Sequence, residues 1–325
     1  MRDFVRRVAS RIAGARPSAE SRIVIEKLAD AMEAPWTSRP EALAPRIGRS
    51  VTSVVNALRS EGNSSTTDLL QDYLLDGCTA DHREDSPLAM AARSSNPTWS
   101  ETDHRALVEL GKRLRGASPA VGLTKLRARL KADSVDSFLG DSALGYCRAG
   151  DVRRCRKRPT GRLDIEALLR TLGCEVCDVT FDDRGTDGVA LWHPGGGCVV
   201  AANRASPRTA TPWGRRAMLA HELYHLLYDA SDRRMFGECT SDWSPAPTER
   251  VANAFAAELL LPETALPRAI SHYWTRLDEA ASEVAGLCET FGVGWELAVR
   301  QLQNRRKLPE AVVSALLGVP RRPAA

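Results

Sequence analysis

Long apolar runs are missing from this chain. Nowhere do about 18 apolar residues follow one another, so nothing in it reads as a membrane span. The first residues, Met1-Arg2-Asp3-Phe4-Val5-Arg6-Arg7, carry charge but lack the apolar core that a signal peptide needs, so the expected location is the cytoplasm. Cysteine is sparse: eight thiols are scattered from Cys78 to Cys288 over 325 residues. A disulfide framework needs dense cysteines in a short secreted chain, so these read as reduced, partly buried thiols. Aromatics make up only 6% while Ala and Arg abound, a bias that favours helices and leaves strands weakly marked. A large excess of one charge is absent too. The net charge of +4 permits contact with nucleic acid without arguing for it, because only clustering would. No internal repeat is present. What the chain does have is apolar mass, 43% hydrophobic residues, and a length that suits two domains of roughly 100–200 residues each.

The spacing of Ile23, Ile25, Leu28 and Met32 predicts an amphipathic helix, and further short helices are expected through residue 62. The stretch from Glu61 to Trp99 reads as loop-rich, and Ser100 before Glu101 signals a helix start. Arg148 to Arg162 holds seven basic residues and one acid and contains Pro159 and Gly161, which makes it the expected domain boundary. A phosphate-binding strip is the other reading of that run. Beyond it the texture changes. Leu163 to Leu172 reads as a helix stopped by Gly173, followed by strands at Cys174–Val179, Val189–Trp192 and Cys198–Ala202. Thr211-Pro212 opens a long helix with Thr as cap and Pro at the first position, running to about Tyr228. Another helix covers about Glu249 to Leu261 and is stopped by Pro262, and the tail from about Arg276 to Leu317 reads as helical.

The strongest chemical signal is His221-Glu222-Leu223-Tyr224-His225. On a helix, positions i and i+4 are neighbours on one face, so both imidazoles can hold one zinc ion. Glu222, one step round, can reach a water at that metal and act as general base. Leu219, Leu223, Leu226 and Leu227 form an apolar stripe, so the histidines emerge beside a core. Catalytic zinc usually keeps three protein ligands, and the downstream Gly and His of metzincins are replaced here by Tyr228 and Ser231. Glu249 and Glu258 are the candidate third ligands. They are nine residues apart and so lie on opposite helix faces, and only one can point at the metal.

The block Arg215 to His225, together with Glu249-Arg250-Val251-Ala252-Asn253-Ala254-Phe255-Ala256-Ala257-Glu258-Leu259-Leu260-Leu261-Pro262, resembles the ImmA/IrrE family of metallo-endopeptidases over about residues 150–310. That resemblance implies Glu249, four residues before Asn253, as the third zinc ligand. It also implies an α+β, zincin-like peptidase core at 150–270 followed by a helical subdomain at 271–325, while the residues before it read as a mainly helical region at 1–145. Its further implication is an intracellular protein substrate, typically a transcriptional repressor, in a stress-response or mobile-element switch. Tyr224 departs from the small residue the family often carries, and either lines the substrate cleft, donates to the oxyanion, or packs on a neighbouring strand. His193 is a second candidate for substrate or oxyanion contact, or else a surface loop histidine.

Residues 40–62 also fit a helix-turn-helix, with Arg49, Thr52, Ser53, Asn56 and Arg59 facing DNA, though an ordinary three-helix bundle fits the pattern equally. A DNA-binding regulator that uses the peptidase fold as a sensor is therefore the competing reading. The tail around Phe291-Gly292-Val293-Gly294 resembles a second such unit, with a solvated charged face as the default. Cys174 and Cys177, taken with Cys147 and Cys155, do not have a defensible zinc spacing.

Overall fold

The computed structural model describes residues 87–95, 99–132, 139–156, 160–194, 197–230, 236–241, 246–267, 277–306 and 308–318. The helices expected before residue 62, and Arg49, Thr52, Ser53, Asn56 and Arg59 with them, lie outside the described residues. Helix α1 (Pro87–Ser94) falls within the stretch expected to be loop-rich. Its Ala91 and Ala92 are fully buried, and Cys239 N–H donates to Ser94 Oγ at 2.7 Å. Its Pro start and its Ala, Leu, Met and Arg content favour a helix locally, and burial of its alanines holds it in place.

Helix α2 (Glu101–Gly116) starts as Ser100 predicts: Ser100 Oγ accepts from Asp103 N–H, and the Asp103 side chain accepts from Ser100 N–H. Helices α3 (Val121–Ala132) and α4 (Asp141–Cys155) follow. The basic stretch expected as a boundary is in its first part the end of α4, whose Ala149 and Val152 are fully buried. Helix α4 crosses helix α7 (Ala246–Leu260) at Gly145, where a Cβ would stand 2.4 Å from Val251 O. Only glycine permits that approach, and it welds residues before 150 to those after.

Asp164 caps α5 (Ile165–Thr171), and the chain then enters a four-stranded mixed sheet. The strands are β1 (Glu175–Val179), β2 (Thr186–Trp192), β3 (Cys198–Asn203) and β4 (Phe236–Ser241), in the order β1-β3-β2-β4. β1 and β3 are parallel; β2 runs antiparallel to both β3 and β4. Every residue of β2 and β3 is buried, as central strands covered on both faces require. The fold is α+β.

Helix α6 (Pro212–Tyr228) lies on this sheet, capped by Thr211 with Pro212 next, and is buried continuously from Met218 to Leu227. Gly188 on β2 makes room for it, since a Cβ there would meet Met218 Sδ at 2.4 Å. Two nearly buried arginines close the helices that flank the site. Arg127 Nε donates to Leu226 O at 2.6 Å near the end of α6, and Arg153 Nε donates to Leu259 O at 2.9 Å near the end of α7. A guanidinium at a helix C-terminus satisfies carbonyls the helix leaves open and meets the negative end of its dipole. The tail forms α8 (Leu277–Phe291), α9 (Trp295–Arg306) and α10 (Glu310–Gly318). Val284, Leu287, Val299, Leu302, Val313 and Leu316 share one apolar cluster with Phe255 and Leu259 of α7.

Candidate metal centre

One helical turn separates His221 from His225, and both rings point to one place. Their Nε2 atoms are 3.0 Å apart. Glu249, in the first turn of α7, meets them with Oε2 at 3.0 Å from His221 Nε2 and Oε1 at 3.8 Å from His225 Nε2. These three side chains form a group whose ligand atoms lie within 4.8 Å of one another and could hold a metal ion. Glu258 goes elsewhere. Its carboxylate accepts from Glu263 N–H at 2.9 Å and from Gln301 Nε2 at 2.7 Å, tying α7 to α9.

The opposite ring nitrogens are held from behind. His221 Nδ1 is 3.2 Å from Asn253 Oδ1, one turn along α7 from Glu249. His225 Nδ1 is 2.7 Å from Asp229 Oδ2 and 3.1 Å from Glu238 Oε2 on β4. Acceptors at Nδ1 fix the proton there and leave Nε2 as a lone-pair donor, which is the tautomer a metal needs. The Phe236 ring stacks on His225 with centroids 6.4 Å apart.

Glu222 is fully buried. Thr240 Oγ1 donates to its Oε1, and Oε2 has no hydrogen-bond partner among the described residues. Burial raises the pKa of Glu222, while His221 and His225 oppose the rise. Burial likewise pushes Glu238 up to about 7, helped by the charges of Glu222, Glu249 and Asp229 and opposed by His225. Burial disfavours the charged form of His225, but the Asp229 hydrogen bond and the neighbouring carboxylates outweigh it and lift the ring to about 9. A protonated His225 and a divalent cation answer the same need, for positive charge among Glu222, Glu238, Glu249 and Asp229. Two imidazoles and a carboxylate, with a further buried carboxylate oxygen unmet, fit a metal of borderline softness such as zinc.

Tyr224 is buried. Its ring packs edge-on to His225 and Phe255, and its hydroxyl accepts from Arg148 Nη1 at 2.7 Å. This places it in the packing between α6, α7 and α4 and not on an open cleft. His193 is half-buried at the β2–β3 turn, where its backbone N–H donates to Gly197 O at 3.2 Å. Cys147, Cys155, Cys174 and Cys177 form no metal-binding group among the described residues. The motif did not announce Asp229, Glu238 or Thr240. Asp229 was open to inference, being four residues after His225 on the same helix face. Glu238 and Thr240 were not, because they belong to a strand that was not expected. A groove of about 1510 Å³ opens beside Asn253, walled by Trp213, Arg216, Ala254 and Trp295.

No curated protein matches the chain. Residues 170–303 match the Peptidase M78 family model, the IrrE N-terminal-like domain, in line with the resemblance to the ImmA/IrrE metallopeptidases.

Proposed function

We propose that the chain is a zinc-dependent endopeptidase acting on an intracellular protein, with His221, His225 and Glu249 as zinc ligands and Glu222 as general base. The single observation that carries this reading is the convergence of both Nε2 atoms and the Glu249 carboxylate next to a buried Glu222 oxygen that none of the described residues satisfies. When bound, zinc supplies Lewis acidity, polarising the scissile carbonyl and lowering the pKa of the attacking water.

The chain's own residues do the rest. Asn253 and Asp229 fix the histidine rings. Thr240 holds Oε1 of Glu222, so that Oε2 faces the reacting centre. Oε2 takes a proton from the attacking water and delivers it to the leaving amine. Burial raises the pKa of Glu222, which suits a group that must first accept a proton and then give it up. The groove beside Asn253 has room for a polypeptide segment, which supports a protein over a small-molecule substrate. The family resemblance favours a transcriptional repressor as that protein, in a stress-response or mobile-element switch.

The test is the metal content of the purified full-length protein, beside Glu249→Ala and Glu258→Ala. One zinc per chain is expected in the wild type, lost in Glu249→Ala and kept in Glu258→Ala. A folded wild type that takes up no zinc even after supplementation overturns the reading.

A further inference from the structure

The face that β4 turns towards α6 carries Phe236, Glu238 and Thr240, every second residue of the strand, as the pleat requires. All three touch the candidate metal centre: Phe236 stacks on the His225 ring, Glu238 lies at its Nδ1, and Thr240 donates to Glu222. Two of these contacts have a plain purpose, since an apolar ring packs and a hydroxyl satisfies a buried acid. Glu238 does not. A mostly buried carboxylate, its side chain 13% exposed, is costly to place there, and Asp229 already accepts from the same ring nitrogen at 2.7 Å. The two acids differ in how firmly they are held. Asp229 follows the last residue of α6, and its side chain is 29% exposed. Glu238 sits opposite Ala190 in the β2–β4 ladder, anchored at both ends of its strand.

We propose that Glu238 is a positioning residue for the metal centre, a strand-borne carboxylate that together with Asp229 clamps the Nδ1 side of His225 and so sets the strength with which its Nε2 binds the metal. The inference rests on the zinc reading above and adds a residue to it. A carboxylate facing Nδ1–H strengthens the imidazole as a donor at Nε2, and its charge adds attraction for a cation on the far side of the ring. Asp229 alone supplies the first effect from a helix end. Glu238 supplies it from the sheet, with the ring held between the strand and the helix that bears it.

The test uses the full-length chain and zinc itself as the probe. Zinc affinity is measured by competition with a chromophoric chelator, and the visible spectrum is recorded after loading with cobalt(II). Glu238→Gln keeps the shape and removes the charge. It is expected to weaken zinc binding about tenfold to a hundredfold and to alter the cobalt bands. Asp229→Asn is expected to act in the same direction, and the double variant to bind more weakly than either. Should Glu238→Gln fail to fold, Glu238→Asp serves instead; it keeps the charge but shortens its reach, and a loss of affinity with altered cobalt bands is again expected. A folded Glu238→Gln that binds zinc within about twofold of wild type, with unchanged cobalt bands, overturns the proposal. The two possible failures are distinguishable. If the wild type binds no zinc, the reading of the site falls and the clamp falls with it. If the wild type binds zinc and cleaves protein while Glu238→Gln binds as tightly, only the clamp falls.

Discussion

Helix α6 and strand β4 approach the candidate metal centre from different sides and contribute in different ways. Helix α6 brings His221, Glu222 and His225, all buried, on a segment packed continuously from Met218 to Leu227. Strand β4 is the edge of the sheet. It pairs with β2 on one side, and on the other Cys239 N–H donates to Ser94 of α1. In the proposed reading the helix carries the groups that react, and the strand carries the groups that hold them. A reacting group must be held to within a fraction of an ångström, so a rigid helix is the natural place for it, with its rotamers locked from a second element.

The comparison can be broken most severely at Glu222. Glu222→Gln is expected to lower kcat by about 10²–10⁴-fold while zinc content stays at the wild-type level, read by single-turnover assay beside metal analysis. Loss of zinc in that variant would mean that Glu222 holds the metal and is not the base. Next in size is Thr240→Val, which leaves Glu222 Oε1 without its donor. A buried acceptor left unsatisfied costs about 1–3 kcal/mol, so a fall of about tenfold or more in kcat is expected at unchanged KM, with Thr240→Ser restoring most of it. Equal loss in both variants would show that β4 supports the fold and not the base.

Away from the reacting atoms the effects turn structural. Arg153→Met removes the donors to Leu259 O and Gly161 O, and a stability loss of about 1–3 kcal/mol is expected in denaturant unfolding, with zinc stoichiometry unchanged. The smallest effect is at Glu258. Burial raises its pKa above the ordinary 4.5, so between that value and its folded pKa the unfolded chain holds fewer protons than the folded one. Stability conferred by this group is therefore full below 4.5 and declines as pH rises through that window. Glu258→Gln is expected to remove that decline, measured as the difference in melting temperature between variant and wild type across the acid range. An unchanged slope would show that the pKa of Glu258 does not rise on folding.

Helix α6 was legible because three independent local signals agree on it: a Thr-Pro start, an apolar stripe and a motif whose spacing only a helix uses. The first three strands announced themselves through β-branched runs such as Cys198-Val199-Val200, although β2 begins three residues before the expected Val189. Strand β4 had no such signal. Its inward positions are Phe236, Glu238 and Thr240 and its alternate ones include Gly237 and Cys239, so polarity does not alternate along it. A strand that lines a polar site loses the pattern by which strands are recognised. Helix α1 was passed over for another reason: its Pro start and alanine-rich sequence do favour a helix, but at eight residues it is short and lies in a stretch dominated by turn-forming residues. Of the site, the grouping of His221, His225 and Glu249 was open to inference from spacing and resemblance. Their supports were not, because Glu238 meets His225 only through tertiary pairing.

The crossing at Gly145 bears on where this protein can be cut. The span that matches the family begins at 170, but Ala149 and Val152 of α4 belong to the same apolar cluster as Phe255, and the Arg153 side chain completes the end of α7. A fragment trimmed to 170–303 would turn that face of α7 to water and free Glu249 from the helix that braces it. The smallest piece able to keep the candidate metal ligands in place therefore starts before Asp141, well outside the borders drawn by sequence likeness.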